Sequence, residues 1–405
     1  MKDRSLLMIP GPIEFEPKVL QALGAPTTSH VAPNFIDAFG RALENMRKVW
    51  LAPTGQPFIV AGSGTLAMEL AGANLIEPGD RALVLSTGVF GDRFEDLLAR
   101  HGAEVTVLRA PIGESLDLGD VEEALKGGGY KVLTVTHVDT STAVRMPIRG
   151  IGELAQRYGV LSIVDGVCSV AGEEILQDEW ALDVVLTASQ KAVGVPPGLA
   201  LLVASQRAMQ AFSERTSPVR GYYADWAKWL PIMQAYEARK PSYFGTPAVN
   251  LVAALAVSLR QILKEGMDVR FARHELLAGA FRAGVSALGL DFVATEPEHR
   301  ANTLTACRYP EGIPGSDLLP AIKANGVIVA GGLHPEIKTE YFRVGHMGAV
   351  CMGDILATLG AIEAGLRSAG YQFESGIGVA AAQAAPAEGI SQSEASPARM
   401  HKRSE

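Results

Sequence analysis

Short apolar segments alternate with amphipathic stretches along the first half of the chain, and this alternation restricts the fold more than any other sequence feature. The segments are rich in Val, Leu and Ile and lie at 58–61, 82–86, 104–108, 131–137, 161–165, 184–187 and 199–204. Helical patterns, such as those at 66–75 and 151–158, separate several of them. Near-continuous apolar strands that alternate with helices are typical of a mostly parallel sheet covered on both faces. The sequence therefore predicts an α/β fold.

The pattern changes after about residue 247. One long helical pattern covers Val249–Glu265 and ends at Gly266, and a second covers 269–288. Short strand candidates at 291–294, 301–307 and 327–330 are interspersed with helical patterns at 316–325 and 354–369. We therefore expect an N-terminal arm at 1–20, a large domain at 21–264 and a smaller α+β domain at 265–372. Residues 373–405 are mostly small and polar, and we expect them to form a disordered tail.

Charge and composition exclude several classes of protein. The net charge of −8 argues against a protein that mainly binds nucleic acid or an anionic membrane. The three cysteines are far apart, which gives neither a disulfide framework nor a metal site, so we expect no metal and a reducing compartment. No signal peptide, transit peptide, peroxisomal address or membrane span is readable, and we expect a cytoplasmic protein, although an organelle is not excluded.

Two charged residues stand near the carboxyl ends of successive predicted strands. Lys191 follows the strand at 184–187, and Asp165 ends the strand at 161–165. Ligands of open α/β sheets bind at this edge. A lysine in apolar surroundings can lose its proton and form a Schiff base, and a carboxylate there can pair with a protonated pyridine nitrogen, as pyridoxal phosphate requires. Taken alone, Lys191 also fits a solvated loop lysine, and Asp165 also fits a helix N-cap.

A glycine-containing turn leads from the first predicted strand into a helix. Its residues Gly62-Ser63-Gly64-Thr65 offer backbone N–H groups, two hydroxyls and a helix N-terminus, which together suit a phosphate group. The same stretch matches GxGxxA, a weak dinucleotide fingerprint. That fingerprint requires an acidic residue after the next strand, where this chain has Ser86-Thr87-Gly88 instead. A nicotinamide-dependent dehydrogenase is therefore the weaker alternative.

Together these motifs resemble the class V aminotransferases, which are pyridoxal 5'-phosphate enzymes of fold type I. The resemblance runs from about Leu6 to about Gly365. It rests on Pro10-Gly11-Pro12, the turn at 62–65, the segment 136–142, Val164-Asp165, Ser189-Gln190-Lys191 and Arg343-Val344-Gly345. It implies a large cofactor-binding domain, whose mostly parallel seven-stranded sheet lies between helices, and a smaller C-terminal α+β domain.

The resemblance also implies a role for each site residue. Lys191 would bind the cofactor covalently and act as the base that shuttles a proton, and Asp165 would pair with the ring nitrogen. The other implied cofactor contacts are Ser63, Gly64, Thr65 and Gln190 at the phosphate, Ser141 near the ring hydroxyl, and Val167 and Phe90 on the two ring faces. Many relatives carry Trp where Phe90 stands and His where Thr65 stands.

Further implied contacts involve the substrate and a second subunit. Tyr243 and Thr246 match a segment that contacts the phosphate in the neighbouring subunit, which implies a homodimer with shared active sites. Arg343 would hold the α-carboxylate of the amino acid and of the keto acid in bidentate geometry. Gly11 would lie close to the substrate.

Within the family, the chain is most similar to members that convert L-alanine and glyoxylate into pyruvate and glycine, in a ping-pong reaction through pyridoxamine phosphate. Such an enzyme would serve glycine biosynthesis and glyoxylate detoxification. A serine–glyoxylate or serine–pyruvate aminotransferase would use the same residues and is the main alternative. A cysteine desulfurase would need His before the lysine, where this chain has Gln190. A visible chromophore in the purified protein would separate an aminotransferase from a dehydrogenase or a binding protein.

Overall fold

A computed structural model describes residues 5–385 of the chain. The strands are β1 (Leu6–Leu7), β2 (Gln56–Ala61), β3 (Arg81–Ser86), β4 (Glu104–Arg109), β5 (Tyr130–Thr136), β6 (Leu161–Asp165), β7 (Val184–Ala188), β8 (Leu199–Ala204), β9 (Leu304–Arg308), β10 (Val327–Ile328), β11 (Ala330–Gly331) and β12 (Tyr341–Gly345). The helices are α1 (Pro17–Leu23), α2 (Pro33–Val49), α3 (Gly64–Leu75), α4 (Val89–Arg100), α5 (Leu118–Lys126), α6 (Ile148–Arg157), α7 (Gln206–Ser213), α8 (Trp226–Glu237), α9 (Val249–Glu265), α10 (Met267–Ala287), α11 (Gly315–Ala324), α12 (Met352–Ser368) and α13 (Ile377–Ala384).

The main sheet has seven strands in the order β2-β8-β7-β6-β5-β3-β4. The strands from β7 to β4 pair in parallel, and only β8 runs antiparallel to its two neighbours. The register places Thr136 of β5 beside Asp165 of β6, and Asp165 beside Leu186 of β7. The mostly parallel α/β sheet that the sequence predicts is thus confirmed, and the carboxyl ends of β5, β6 and β7 share one edge.

Helices cover the main sheet because its central strands have no polar face. Every residue of β6, β7 and β8 is buried, as expected for strands between two helical layers. Helix α3 packs on β7 and β8, α4 packs on β3, and α6 packs on β6. Within residues 5–385, no helix is long and apolar enough to cross a membrane.

A second apolar core lies around α10, α11 and α12 and the three-stranded antiparallel sheet β11-β12-β9. Its largest buried side chains include Phe281 and Phe342. The N-terminal arm joins this core, because β1 pairs in parallel with β10 and Met8 is buried in it. We propose from these two cores that the chain divides into a large domain at 21–264 and a small domain at 265–372, preceded by an N-terminal arm at 1–20, of which Met8 lies in the second core and Ile13 in the first.

Two features of the C-terminal part differ from the sequence-based expectations. Residues 291–294 form no strand; Phe292 makes only an isolated bridge to Cys307. The expected disorder from residue 373 is wrong up to residue 385, because α13 packs on α10 and α12. The carboxylate of Glu363 accepts hydrogen bonds from the backbone N–H groups of Gly376, Gly378 and Val379, which fixes the start of α13. The rest of the predicted tail, 386–405, lies outside the described residues.

Candidate active site

Three separate segments meet at the carboxyl edge of the main sheet. Asp165 ends β6, Lys191 follows β7, and Gly64 begins α3 directly after the turn from β2. A Cβ atom added to Gly64 would lie 2.9 Å from Cγ2 of Val167 and 3.4 Å from Cβ of Ala188. The turn that precedes α3 is therefore in contact with the segments that carry Asp165 and Lys191. A residue larger than glycine at position 64 would require Val167 to move, so glycine permits this close approach of backbone to side chain.

Lys191 is buried against the N-terminal arm. Its side chain is 8% exposed, and its amine donates a hydrogen bond to the backbone carbonyl of Pro10. Gly11 lies beside the aliphatic part of the same side chain, with a backbone φ of +102° that favours glycine. The structure thus brings together the lysine and the glycine that the sequence analysis assigned to the cofactor and the substrate.

Asp165 is a buried carboxyl group with one oxygen left over. Its Oδ1 atom accepts a hydrogen bond of 2.8 Å from the backbone N–H of Val167. Its Oδ2 atom accepts no hydrogen bond from residues 5–385. The pKa of Asp165 is raised to about 7, chiefly by burial and to a lesser extent by the nearby carboxyl of Asp139, whereas the hydrogen bond from Val167 and the charges of Lys191 and Arg93 oppose the shift. A cationic N–H group at Oδ2 would stabilise the ionised carboxylate.

The predicted phosphate turn offers free donors. Ser63 stands at the N-cap of α3, and its side chain caps no backbone N–H in the described structure. The backbone N–H groups of the first helical turn have no partner within the helix, as at any helix N-terminus. Ser63 and Thr65 are exposed, and Gly64 is buried. Gln190 is half-buried next to Lys191, and its Oε1 atom has no hydrogen-bond partner among the described residues.

Asp139 organises the opposite side of the site, and the sequence analysis assigned it no role. Its Oδ2 atom accepts hydrogen bonds from the backbone N–H of Phe90 (2.9 Å) and Gly91 (3.2 Å). Its Oδ1 atom accepts from the backbone N–H of Ser141 (2.8 Å) and from the Ser141 hydroxyl (2.6 Å). Burial raises the pKa of Asp139, and these donors oppose the shift. The available signal was the motif at 136–142, but spacing alone does not show which side chains an aspartate will contact.

Phe90 and Ser141 are oriented by these contacts. The Ser141 hydroxyl also accepts a hydrogen bond of 3.1 Å from the backbone N–H of Val89, so its only proton is committed to Asp139. The guanidinium carbon of Arg93 lies 4.5 Å from the centre of the Phe90 ring, one helical turn along α4. Arg93 is therefore a cation beside Phe90, the predicted ring-stacking residue. The sequence analysis assigned Arg93 no role.

Arg343 reaches the site from β12, a strand that contributes Phe342 and Val344 to the second core. It lies on β12, where Nε donates a hydrogen bond of 2.9 Å to Gly331 O and Nη1 donates one of 3.1 Å to Thr140 O. Burial lowers the pKa of the guanidinium, although arginine stays charged at neutral pH. Nη2 makes no hydrogen bond within residues 5–385. The group that remains free can bind a carboxylate.

Tyr243 and Thr246 are not brought into this group within one chain. The Tyr243 side chain is 63% exposed, its ring lies 5.4 Å from that of His30, and its hydroxyl is 3.4 Å from Oγ1 of Thr246. In the described part of the chain, no hydrogen bond joins either residue to Lys191 or Asp165. Their assignment to the site of a neighbouring subunit stays a proposal.

The residues present fit pyridoxal phosphate. The helix N-terminus at 63–65 suits a phosphate, and the free Oδ2 atom of Asp165 suits a protonated ring nitrogen. Lys191 supplies a buried primary amine, and Phe90 and Val167 are half-buried apolar side chains beside these groups. Arg343 adds a free guanidinium edge for a substrate carboxylate.

Comparison with known proteins agrees with this chemistry. The model of the family described as aminotransferase class-V matches residues 18–350. Alanine–glyoxylate aminotransferase 1 of Saccharomyces cerevisiae is 41% identical over 360 residues, which cover 86% of this chain and 93% of the yeast protein. Serine–glyoxylate aminotransferase of Arabidopsis thaliana is 31% identical and covers 94% of both chains.

A solved structure gives the same result for the fold. The crystal structure of alanine–glyoxylate aminotransferase from Nostoc sp. superposes with a TM-score of 0.85 at 32% sequence identity. The match covers 90% of this chain and 96% of the Nostoc chain. The similarity therefore extends over both cores and the site between them.

Proposed function

The chain belongs to the class V aminotransferases, enzymes that depend on pyridoxal phosphate and exchange an amino group between an amino acid and a keto acid, and we propose that its substrates are L-alanine and glyoxylate. The products would be pyruvate and glycine. The yeast relative, 41% identical, is named for this reaction. One observation in the structure supports it most: the N-terminal arm packs closely against the side chain of Lys191.

The N-terminal arm occupies the space between Lys191 and β12. On one side, a Cβ atom at Gly11 would lie 2.5 Å from Cδ of Lys191. On the other side, a Cβ atom at Gly345 of β12 would lie 2.3 Å from the carbonyl oxygen of Ile9. The arm is thus held between the strand of Arg343 and the side chain of Lys191. A donor with a one-carbon side chain and an acceptor with none suit such a site.

The residues of the chain divide the work of the reaction. Pyridoxal phosphate supplies an electron sink that stabilises negative charge at the α-carbon of the substrate. The buried carboxylate of Asp165 would stabilise the protonated ring nitrogen of the cofactor. The amine of Lys191, once free, removes the α-proton and returns a proton as general acid. Arg343 orients the substrate through its carboxylate, so that the α-hydrogen faces Lys191.

We also propose that two chains form a homodimer with shared sites. Tyr243 and Thr246 are exposed in the single chain and would complete the phosphate site of the partner. A twofold axis would then give two equal sites. In the cell, such an enzyme would consume glyoxylate and supply glycine.

Serine is the second candidate donor. The relative from Arabidopsis, 31% identical, is named as a serine–glyoxylate aminotransferase. An apolar pocket rejects one added hydroxyl group only modestly, by about 100-fold. Serine would therefore be a competing donor even in a site built for alanine.

Steady-state kinetics test the proposal. The measurement compares kcat/KM for L-alanine, L-serine and L-aspartate, each with glyoxylate as acceptor. We expect the order alanine, then serine, then aspartate. A higher kcat/KM for serine would transfer the assignment to the serine-dependent enzymes, and a higher value for aspartate would show that the site is wider than the arm suggests.

A further inference from the structure

Tyr341 is a fully buried residue whose hydroxyl joins the small domain to the cofactor-binding domain. Its side chain is 0% exposed. The hydroxyl donates a hydrogen bond to the carbonyl oxygen of Ser141 and accepts hydrogen bonds from the backbone N–H of Leu333 (2.8 Å) and His334 (2.9 Å). A phenol has one proton and two lone pairs, so this hydroxyl uses its whole hydrogen-bonding capacity.

Arg343 lies two residues further along β12 and faces the same side of the strand. Its guanidinium donates to Thr140 O, the carbonyl next to the one that Tyr341 holds. It also donates to Gly331 O, close to the loop that Tyr341 fixes. Arg343 and Tyr341 therefore bind two adjacent carbonyls of the large domain. Both also contact the segment 331–334 of the small domain.

These contacts fix the orientation of the Arg343 guanidinium. Its Nε and Nη1 atoms are held by backbone carbonyls, one from each domain, while Nη2 makes no hydrogen bond within residues 5–385. If the loop at 332–340 moved, the carbonyl of Gly331 would move with it, and if the turn at Ser141 moved, the carbonyl of Thr140 would move with it. Small displacements of a positioning group cost much of the rate or affinity that it provides.

We propose that Tyr341 is a positioning residue that aims Arg343 at the substrate carboxylate. It makes no contact with the substrate itself. It acts by fixing the loop at 332–340 and the turn at Ser141, next to the two carbonyls that bind the Arg343 guanidinium. The inference rests on the proposed role of Arg343, and not on which amino acid is the donor. It predicts that the hydroxyl of Tyr341 controls the affinity for carboxylate substrates and changes cofactor binding much less, because Ser141 is also held by Asp139 and by the backbone N–H of Val89.

The test is Tyr341→Phe in the holoenzyme, which removes the hydroxyl and keeps the aromatic ring. The probes are propionate, a carboxylate without an amino group, measured by calorimetry, and the KM and kcat for L-alanine and glyoxylate. The loss of three buried hydrogen bonds should weaken propionate binding and raise both KM values by about tenfold or more. kcat and the dissociation constant of the cofactor should change less than about threefold.

Tyr371→Phe is the matched control, because its hydroxyl donates one hydrogen bond of 3.1 Å to Leu288 O elsewhere in the small domain. This variant should leave propionate binding unchanged. Arg343→Ala is the reference variant. If it leaves propionate binding unchanged, the proposed role of Arg343 fails and the inference fails with it.

If Arg343→Ala loses propionate binding but Tyr341→Phe binds propionate like the wild type, the inference is wrong and the proposed function stands. Equal losses of cofactor and propionate affinity in Tyr341→Phe would also overturn it, because they would show a general structural role. Should Tyr341→Phe not fold, Tyr341→Met also removes the hydroxyl and keeps an apolar side chain, and it is judged by the same criteria.

Discussion

Gly11 and Lys191 are packed so closely that a larger residue at position 11 would displace the lysine side chain. A Cβ atom there would lie 2.5 Å from Cδ and 3.0 Å from Nζ of Lys191. The contact joins the N-terminal arm to the lysine, 180 residues away in sequence. The amine also donates a hydrogen bond to Pro10 O, so the arm determines where the lysine amine lies.

Gly11→Ala should therefore displace Lys191 and reduce kcat at least tenfold. Part of any stability loss will come from the positive φ of +102° rather than from the contact. Gly370→Ala is the matched control, because Gly370 has a φ of +88° and no atom within 4 Å of its Cβ position. The measurement is kcat together with the thermal midpoint of both variants. If Gly11→Ala kept the kcat of Gly370→Ala, the arm would have no part in placing the lysine.

Asp165 should make the stability of the cofactor-free protein depend on pH. Its pKa is about 7 in the folded chain and 3.8 as the ordinary value, so the folded chain holds a proton that the unfolded chain releases in this interval. The folded state is therefore destabilised as pH rises from about 4 to about 7. Asp165→Asn removes this dependence. Its free energy of unfolding, relative to that of the wild type, should therefore increase by about 3 kcal/mol from about pH 5 to about pH 8.

Chemical unfolding of both cofactor-free proteins at the two pH values measures this gain. Titrating residues common to both, such as the buried His137 and His346, cancel in the difference. A difference that does not vary with pH would show that Asp165 is already ionised in the empty site. Asp165→Asn should also weaken cofactor binding, since Oδ2 is then no longer a carboxylate oxygen.

Arg343→Lys keeps the positive charge but loses the planar pair of N–H donors. We expect KM for L-alanine and for glyoxylate to rise by roughly tenfold or more, because one bidentate contact is replaced by a point charge. The dissociation constant of the cofactor should stay within about twofold of the wild type. Unchanged KM values for both substrates would assign Arg343 to the contact between the domains alone.

Mixed dimers test whether Tyr243 and Thr246 serve the partner. One chain carries Lys191→Ala, and the other carries Tyr243→Phe with Thr246→Ala. If the phosphate contacts cross the interface, each mixed dimer contains one intact site and one site with every lesion. Random assembly of equal amounts should then recover about a quarter of wild-type activity, measured against each variant alone. Recovery no greater than the sum of the two variants would place both residues in the site of their own chain.

The sequence was most informative where chemistry follows from position along a strand. Asp165 and Lys191 could be singled out because burying a carboxylate or an amine at the end of a strand costs desolvation free energy unless the group has a partner. Helix α9 was predicted from Val249 to Glu265, and the structure gives the same bounds, because an uninterrupted apolar period ends at Gly266. Both inferences depend on local sequence.

Contacts between distant residues could not be predicted in the same way. The hydroxyl of Tyr341 meets a carbonyl 200 residues earlier, and Phe90 meets the carboxylate of Asp139 49 residues later. Helix α13 was missed for a related reason. Its sequence is small and weakly amphipathic, and its start is fixed by Glu363, which lies on another helix. Tertiary contacts of this kind leave no periodicity in the sequence.

Whether Lys191 holds the cofactor and exchanges it with the substrates is best measured by the visible absorption spectrum of the holoenzyme, titrated with L-alanine and then with glyoxylate. We expect an absorption band of the cofactor held by Lys191 that alanine abolishes and glyoxylate restores, and no such band in Lys191→Ala. L-Serine, titrated separately, should produce the same change with lower affinity. A reconstituted wild-type protein without the band, or a Lys191→Ala variant that retains the band and turns over alanine, would show that Lys191 does not hold the cofactor.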